Sequence, residues 1–257
     1  MERAPARRAF DADVAGIAAL ADPVRRELYR HVCAQTGPVG RDAAAAAVGI
    51  TRHQAKFHLD RLEADGLLVA DYVRLTGRTG PGAGRPAKVY RRAEREIAVS
   101  LPQREYELAG GIMADAIDES MQTSLPVAQT IRTTAAARGQ AIAEEARARI
   151  ADGAAQPVGT SRPAAPEHGL DTVLAVLAER GYEPRWESGR VVMANCPFHA
   201  LVHTHTELVC TMNHAFITAI TDELAPGTVC ACLEPDENRC CVTLREAGAG
   251  GVSAQAG

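Results

Sequence analysis

Cys196, His199, His203, His205, Cys210 and His214 fall in one run, ANCPFHALVHTHTELVCTMNHAFITA, and Cys230, Cys232, Cys240 and Cys241 follow close behind. Six of the seven cysteines therefore lie in the last quarter of the 257 residues. Thiols and imidazoles at this density bind metal ions or iron-sulfur clusters, carry redox chemistry, or act as nucleophile and base. The spacing removes several of these. There is no repeated CxxC pair as in zinc ribbons, no Cys-Cys-His-His finger spacing, and no Pro-Cys-x-x-Cys of the kind zinc deaminases use. A thiol hydrolase would pair Cys196 with His199 or His203, since a neighbouring base lowers a thiol pKa. A single catalytic thiol leaves Cys210 and Cys240 without a task.

The elements that must position these groups read as a compact α/β unit over residues 169 to 246. LDTVLAVLAERG is an amphipathic helix, YEPRWES and RVVMAN are strands around Ser188-Gly189, TELVCTMNHAFITAITDEL is a second helix, and TVCACLE and CCVTLRE form a hairpin across PDENR. Cys196 then sits on a loop leaving a strand, Cys210 on a helix and Cys240 at a strand start. Ligation explains Cys196 best, because NCP places it at an irregular turn. Cys230 and Cys232 alternate in a strand beside Val229 and Leu233, which suits packing for at least one of them, and Cys33 reads as structural.

The N-terminus has no apolar core of the kind a signal peptide needs, and no run approaches the roughly 18 apolar residues of a membrane span. The expectation is a cytoplasmic protein with no membrane partner, where thiol systems keep cysteines reduced and available as ligands. A hydrophobic content of 46% is that of a globular chain. The net charge of -4 hides an asymmetry, for residues 52 to 95 carry ten Lys/Arg against five Asp/Glu. A local positive face of this sort holds phosphates by counterion release.

Pattern agrees with that charge. FDADVAGIAALADPVRRELYRHVCAQ reads as two helices broken at Asp22-Pro23, and GRDAAAAAVGI is a short helix closed by Gly49. TRHQAKFHLDRLEADGLL then starts at Thr51 as N-cap and turns Ala55, Leu59 and Leu62 inward. A recognition helix needs this arrangement, with Thr51, Arg52, His53, Gln54 and Lys56 reaching a major groove of double-stranded DNA. LLVADYVRL and AKVYRR enclose the Gly- and Pro-rich TGRTGPGAGRP, so the hairpin is a wing that offers Arg78, Arg85 and Lys88 to phosphate or minor groove.

Residues 96 to 150 are helical by composition, with Tyr106, Leu108, Ile112, Ile117, Val127, Ile131, Ile142 and Ile150 as candidate buried positions. They suit a connector and the interface of a homodimer that meets two half-sites. ADGAAQPVGTSRPAAPEHG lacks periodicity, making residues 151 to 168 a linker, and residues 247 to 257 a disordered tail. The fold class is α+β: an N-terminal winged helix-turn-helix domain, a helical connector or dimer region, and a small C-terminal α/β cluster-binding domain.

LADPVRRELYRHV, TRHQAKFHLDRLEADGLL and GAGRPAKVYRR resemble the winged-helix domain of bacterial regulators related to the arsenic-repressor family, over residues 10 to 95. Set after that domain, NCPFHALVHTHTELVC and its long gap to RCCVTL resemble the sensor of SufR-like repressors of iron-sulfur assembly operons. The resemblance implies Cys196, Cys210 and Cys240 as thiolate ligands of an iron-sulfur cluster, 4Fe-4S before 2Fe-2S, and a regulator without catalysis whose holo form represses. His199, three residues from Cys196, leads the candidates for a fourth ligand. Cys241 ranks lower because its side chain opposes that of Cys240 in a regular strand; Cys230, Cys232 and solvent stay open. The competing readings are a zinc- or thiol-based sensor on the same winged helix and a cysteine-dependent enzyme fused to a DNA-binding module.

Overall fold

The computed structural model describes residues 5–73, 86–151, 168–236 and 238–247. The chain divides into two compact units, residues 1–99 and 100–257.

In the first unit α1 (Pro5–Ala19), α2 (Pro23–Cys33), β1 (Val39–Gly40), α3 (Arg41–Val48), α4 (Arg52–Ala64), β2 (Leu68–Val73) and β3 (Ala87–Arg92) follow one another. Asp22 starts α2 by accepting the Arg25 N–H at 2.9 Å, with Pro23 in the first turn, where a missing donor costs nothing. Gly49 ends α3 in the left-handed region at φ 73°, so the chain turns sharply into α4. Leu28 and Val32 of α2, Ala44 and Ala45 of α3, Leu59 and Leu62 of α4 and Tyr90 of β3 form one core. The strands pair antiparallel in the order β1-β3-β2. The wing loop with Arg78 and Arg85 lies outside the described residues.

The second unit holds α5 (Tyr106–Thr123), α6 (Val127–Ala151), α7 (His168–Glu179), β4 (Pro184–Glu187), β5 (Arg190–Met193), α8 (His199–Thr204), α9 (Thr206–Leu224), β6 (Val229–Leu233) and β7 (Val242–Glu246). Its sheet is antiparallel in the order β4-β5-β7-β6. The helical segment expected as a separate connector does not stand apart. Ile112, Ile131, Ala135, Ile142 and Ala146 share one core with Leu170, Phe216, Ile220 and Leu244. Small residues make this possible: a Cβ on Gly139 of α6 would lie 2.4 Å from the Phe216 carbonyl oxygen of α9, so only glycine fits. Tyr106, Ile117, Val127 and Ile150, read from sequence as buried, are exposed, while Ile112, Ile131 and Ile142 are buried. Of the expected linker and tail, residues 152–167 and 248–257 lie outside the described residues.

Candidate functional site

Two places carry chemistry, one in each unit. In the first, Thr51 and Gln54 close the start of α4 reciprocally. The Gln54 N–H donates to Thr51 Oγ1 at 3.3 Å, and the Thr51 N–H donates to Gln54 Oε1 at 3.0 Å. Ala55, Leu59 and Leu62 anchor the helix in the core, leaving Arg52, His53, Gln54 and Lys56 exposed on the opposite face. Arg52 Nε lies 3.0 Å from Asp42 Oδ1, and Lys56 Nζ lies 3.2 Å from Asp60 Oδ2, both on the surface and both free to exchange a carboxylate for a phosphate. Phe57, which the sequence reading passed over, is 64% exposed on the same face with its ring edge against His58. Its signal was its place two residues after the buried Ala55, on the side a core residue would avoid.

Lys88 corrects an expectation. Its Nζ bonds Asp60 Oδ1 at 2.9 Å and also Glu63, and its side chain is only 14% exposed, so it ties β3 to α4 and does not present a charge to DNA. Tyr90 donates to the same Asp60 oxygen at 2.5 Å and accepts from Arg41 Nε at 3.2 Å. Burial by itself would raise the Asp60 pKa; the bonds from Tyr90, Lys88 and Lys56 outweigh it and hold the carboxyl at about 2. The helix is thus positioned on the hairpin by a charged cluster that sequence periodicity does not encode.

In the second unit the thiols of Cys196, Cys210, Cys240 and Cys241 are 8%, 5%, 1% and 6% exposed. Cys196 follows β5, Cys210 lies in the early turns of α9, and Cys240 and Cys241 lie just ahead of β7. Arg104 Nη1 donates to the Cys196 carbonyl at 2.7 Å and to Asn195 Oδ1 at 2.6 Å, while Asn195 Nδ2 donates to the Gly181 carbonyl at 2.6 Å. These bonds hold the loop that carries Cys196. The Cys240 N–H donates to the Met193 carbonyl at 3.0 Å, which brings the approach to β7 beside the end of β5.

The four thiols share one buried cluster and act on one another electrostatically: Cys196 on Cys240, and Cys241 on both Cys210 and Cys240. Asn213 Nδ2 adds a donor to Cys240 Sγ at 3.2 Å. The bonds from Cys196 and Cys241, with the Val242 N–H and the Asn213 amide, hold the Cys240 thiol well below the usual range despite its burial. The Cys241 bond lowers the Cys210 thiol. Cys196 is pushed up by its bond to Cys240 and by burial, and Cys241 by its bonds to Cys210 and Cys240. Among the described residues no group of three or more His, Cys, Asp or Glu side chains is set out to hold a metal ion. Thiolate is the donor type that iron-sulfur clusters take, and an amide N–H aimed at sulfur is the kind of bond that tunes them.

His199 belongs elsewhere. It begins α8 on the surface, its Nε2 lying 3.0 Å from His203 Nε2 with the rings edge to face, and Cys241 takes the place among the thiols that sequence spacing had given it. The reason is local. Cys240 and Cys241 precede the strand, so the alternation that would turn them apart does not apply. His205 occupies the residue before α9 without a side-chain capping bond, and His214 Nε2 meets the Ala231 carbonyl oxygen at 3.1 Å.

Residues 20–69 match a protein-family model described as a helix-turn-helix domain. Neither the curated proteins nor the solved structures compared gave a match. The matched segment spans α2 to α4 and the start of β2, so the first unit carries a helix-turn-helix DNA-binding domain of the kind found in transcriptional regulators. No helix among the described residues is long and apolar enough to cross a membrane.

Proposed function

We propose that the protein is a transcriptional repressor that senses iron or redox status through an iron-sulfur cluster, 4Fe-4S rather than 2Fe-2S, held by Cys196, Cys210, Cys240 and Cys241. One observation carries the reading: four buried thiols, from the loop after β5, from α9 and from the approach to β7, share one buried cluster in a chain that also bears a helix-turn-helix domain. A cluster bound there supplies a charged centre that iron shortage or oxidation removes. The remaining roles belong to the chain. Arg104 and Asn195 fix the Cys196 loop, Asn213 and the Val242 N–H stabilise negative charge on Cys240, and α9 carries Cys210. A cluster held by these thiols would tie the three elements together, and its removal would change operator affinity by a coupling energy of about 1–3 kcal/mol. In this reading the thiols are ligands and not nucleophiles, no reaction is catalysed, and the protein works in the reducing cytoplasm.

The partner is a double-stranded operator read by a homodimer, because helix-turn-helix domains meet paired half-sites. Ile117, Met121, Leu125 and Val127, exposed around the junction of α5 and α6, support that assembly as apolar surface a second copy would cover. Anaerobic purification tests the reading. The expected sample is brown, contains iron and sulfide in equal amounts, and retards an operator duplex selected from random sequence more strongly than the same sample after cluster removal. A colourless protein with stoichiometric zinc overturns it.

A further inference from the structure

Cys230 and Cys232 take no part in the thiol group described above. They lie on β6, which pairs only with β7 among the described residues and forms one edge of the sheet. Val229 and Ala231 of that strand pack on the core, so alternation turns Cys230 and Cys232 to the opposite face. There they stand across from Arg245 and Thr243. Their sulfurs are 3.8 Å apart, in van der Waals contact; Cys230 is exposed and Cys232 half-buried. The buried four are at most 8% exposed.

We infer that Cys230 and Cys232 form a second thiol site, a surface dithiol that hydroperoxides oxidise to an intrachain disulfide before they reach the buried thiols. This rests on exposure and sulfur contact alone and does not depend on a cluster. Cys230, the more accessible sulfur, attacks one oxygen of the peroxide once deprotonated. The O–O bond breaks, the distal oxygen leaves as water or alcohol with the thiol's proton, and Cys230 becomes a sulfenic acid. The Cys232 sulfur then displaces the sulfenic oxygen, which leaves as water with the Cys232 proton. Two thiols and one hydroperoxide give one disulfide, one alcohol and one water.

Residues two apart on an extended strand are about 6.6 Å apart at Cα, near the upper end of what a disulfide spans. Closing the bond therefore puckers β6. Thiol reductants reopen such a bond readily. The pucker is felt next door, because Cys232 pairs with Thr243, Leu233 pairs with Val242, and the Glu234 N–H donates to the Cys241 carbonyl at 2.6 Å. Oxidation at the surface is thereby linked through two rungs of the ladder to the backbone of a buried thiol.

The test uses the reduced full-length chain and one equivalent of hydrogen peroxide, followed by alkylation in denaturant. Cleavage after Glu223 and Glu237 isolates Cys230 and Cys232 from the other thiols. The expected fragment is two hydrogens lighter, unalkylated, and formed roughly tenfold faster than any product at Cys196, Cys210, Cys240 or Cys241. Cys232→Ser leaves a Cys230 sulfenic acid that a 1,3-diketone probe traps, and dithiothreitol restores both thiols in the unmodified chain. Recovery of both as alkylated thiols after the peroxide is consumed overturns the proposal, as does earlier oxidation of the buried four or a disulfide between two chains.

Discussion

Asn213 donates its amide to the sulfur of Cys240 at 3.2 Å while its carbonyl oxygen accepts the hydroxyl proton of Tyr182 at 2.5 Å. All three side chains are at most 1% exposed. A side chain that can both donate and accept is the only kind that satisfies both neighbours at once. Asn213→Leu leaves the Tyr182 hydroxyl unpaired and strips a donor from the sulfur. The expected result is a loss of about 1–3 kcal/mol in denaturant unfolding of the cluster-free chain. Tyr182→Phe, which leaves only an acceptor unmet, costs less than Asn213→Leu.

The ligand reading makes an asymmetric prediction. Serine in place of Cys196, Cys210, Cys240 or Cys241 removes iron and sulfide from anaerobically prepared protein. His199→Ala and Cys33→Ser leave both unchanged. Full cluster content in the Cys241 variant would move the fourth ligand outside the thiol group.

At the DNA face, Lys56 and Lys88 part company. Lys56→Ala reduces the slope of log affinity against log salt by about 1, as one phosphate contact should. Lys88→Ala leaves the slope alone and lowers the stability of the first unit by about 1–3 kcal/mol, because Asp60 and Glu63 lose their buried cation. Equal slopes for both variants would sink the distinction.

Gln54 does two jobs, so its replacement has two effects. Gln54→Ala opens the reciprocal cap with Thr51, costing about 1 kcal/mol of helix stability, and it also relaxes base preference. Phe57→Ala, on the same exposed face but outside the cap, changes sequence selection without changing the melting temperature. Selection from random duplexes alongside calorimetry separates the two.

Asp60 sets an acid limit. Its folded-state carboxyl titrates at about 2, below an ordinary aspartate at about 3.9. The stabilisation is fully present above the unfolded value and is lost as pH falls through the folded one. Unfolding midpoints of the first unit therefore decline from about pH 5 toward pH 2, and Asp60→Asn, less stable at pH 7, flattens that decline.

The helix-turn-helix was legible because Leu28, Val32, Leu59 and Leu62 are large apolar residues at helical spacing and because Pro23, Gly49 and Thr51 punctuate it. The same logic placed α9 from Thr206 to Leu224. On α5 and α6 it found the helices and Ile112, Ile131 and Ile142 but not the rest of the buried surface, which is built from Thr130, Ala135, Gly139, Ala143 and Ala146. Small residues leave no strong periodic signal, so Tyr106, Ile117, Val127 and Ile150 were read as core in their place. Of the four thiols in the buried cluster, the sequence singles out Cys196, Cys210 and Cys240 and ranks Cys241 behind His199. That order came from applying strand alternation two residues too early, to a pair whose backbone is held by bonds to Met193 and Glu234. Lys88 misled because a lysine on a basic hairpin looks identical in sequence whether it faces phosphate or the carboxylates of a neighbouring helix.

The glycine contact between α6 and α9 has a mechanical side. Backbone meets backbone there with no flexible side chain between, so α9, which carries Cys210, cannot tilt without taking α6 along. With 25 residues α6 is a stiff rod, about 37 Å long at 1.5 Å per residue. A tilt of about 5° at a mid-rod fulcrum swings each end by about 1.6 Å over that length. A change of sub-ångström size at one sulfur is thus geared up, by leverage alone, to a displacement that neighbouring side chains register as a different packing.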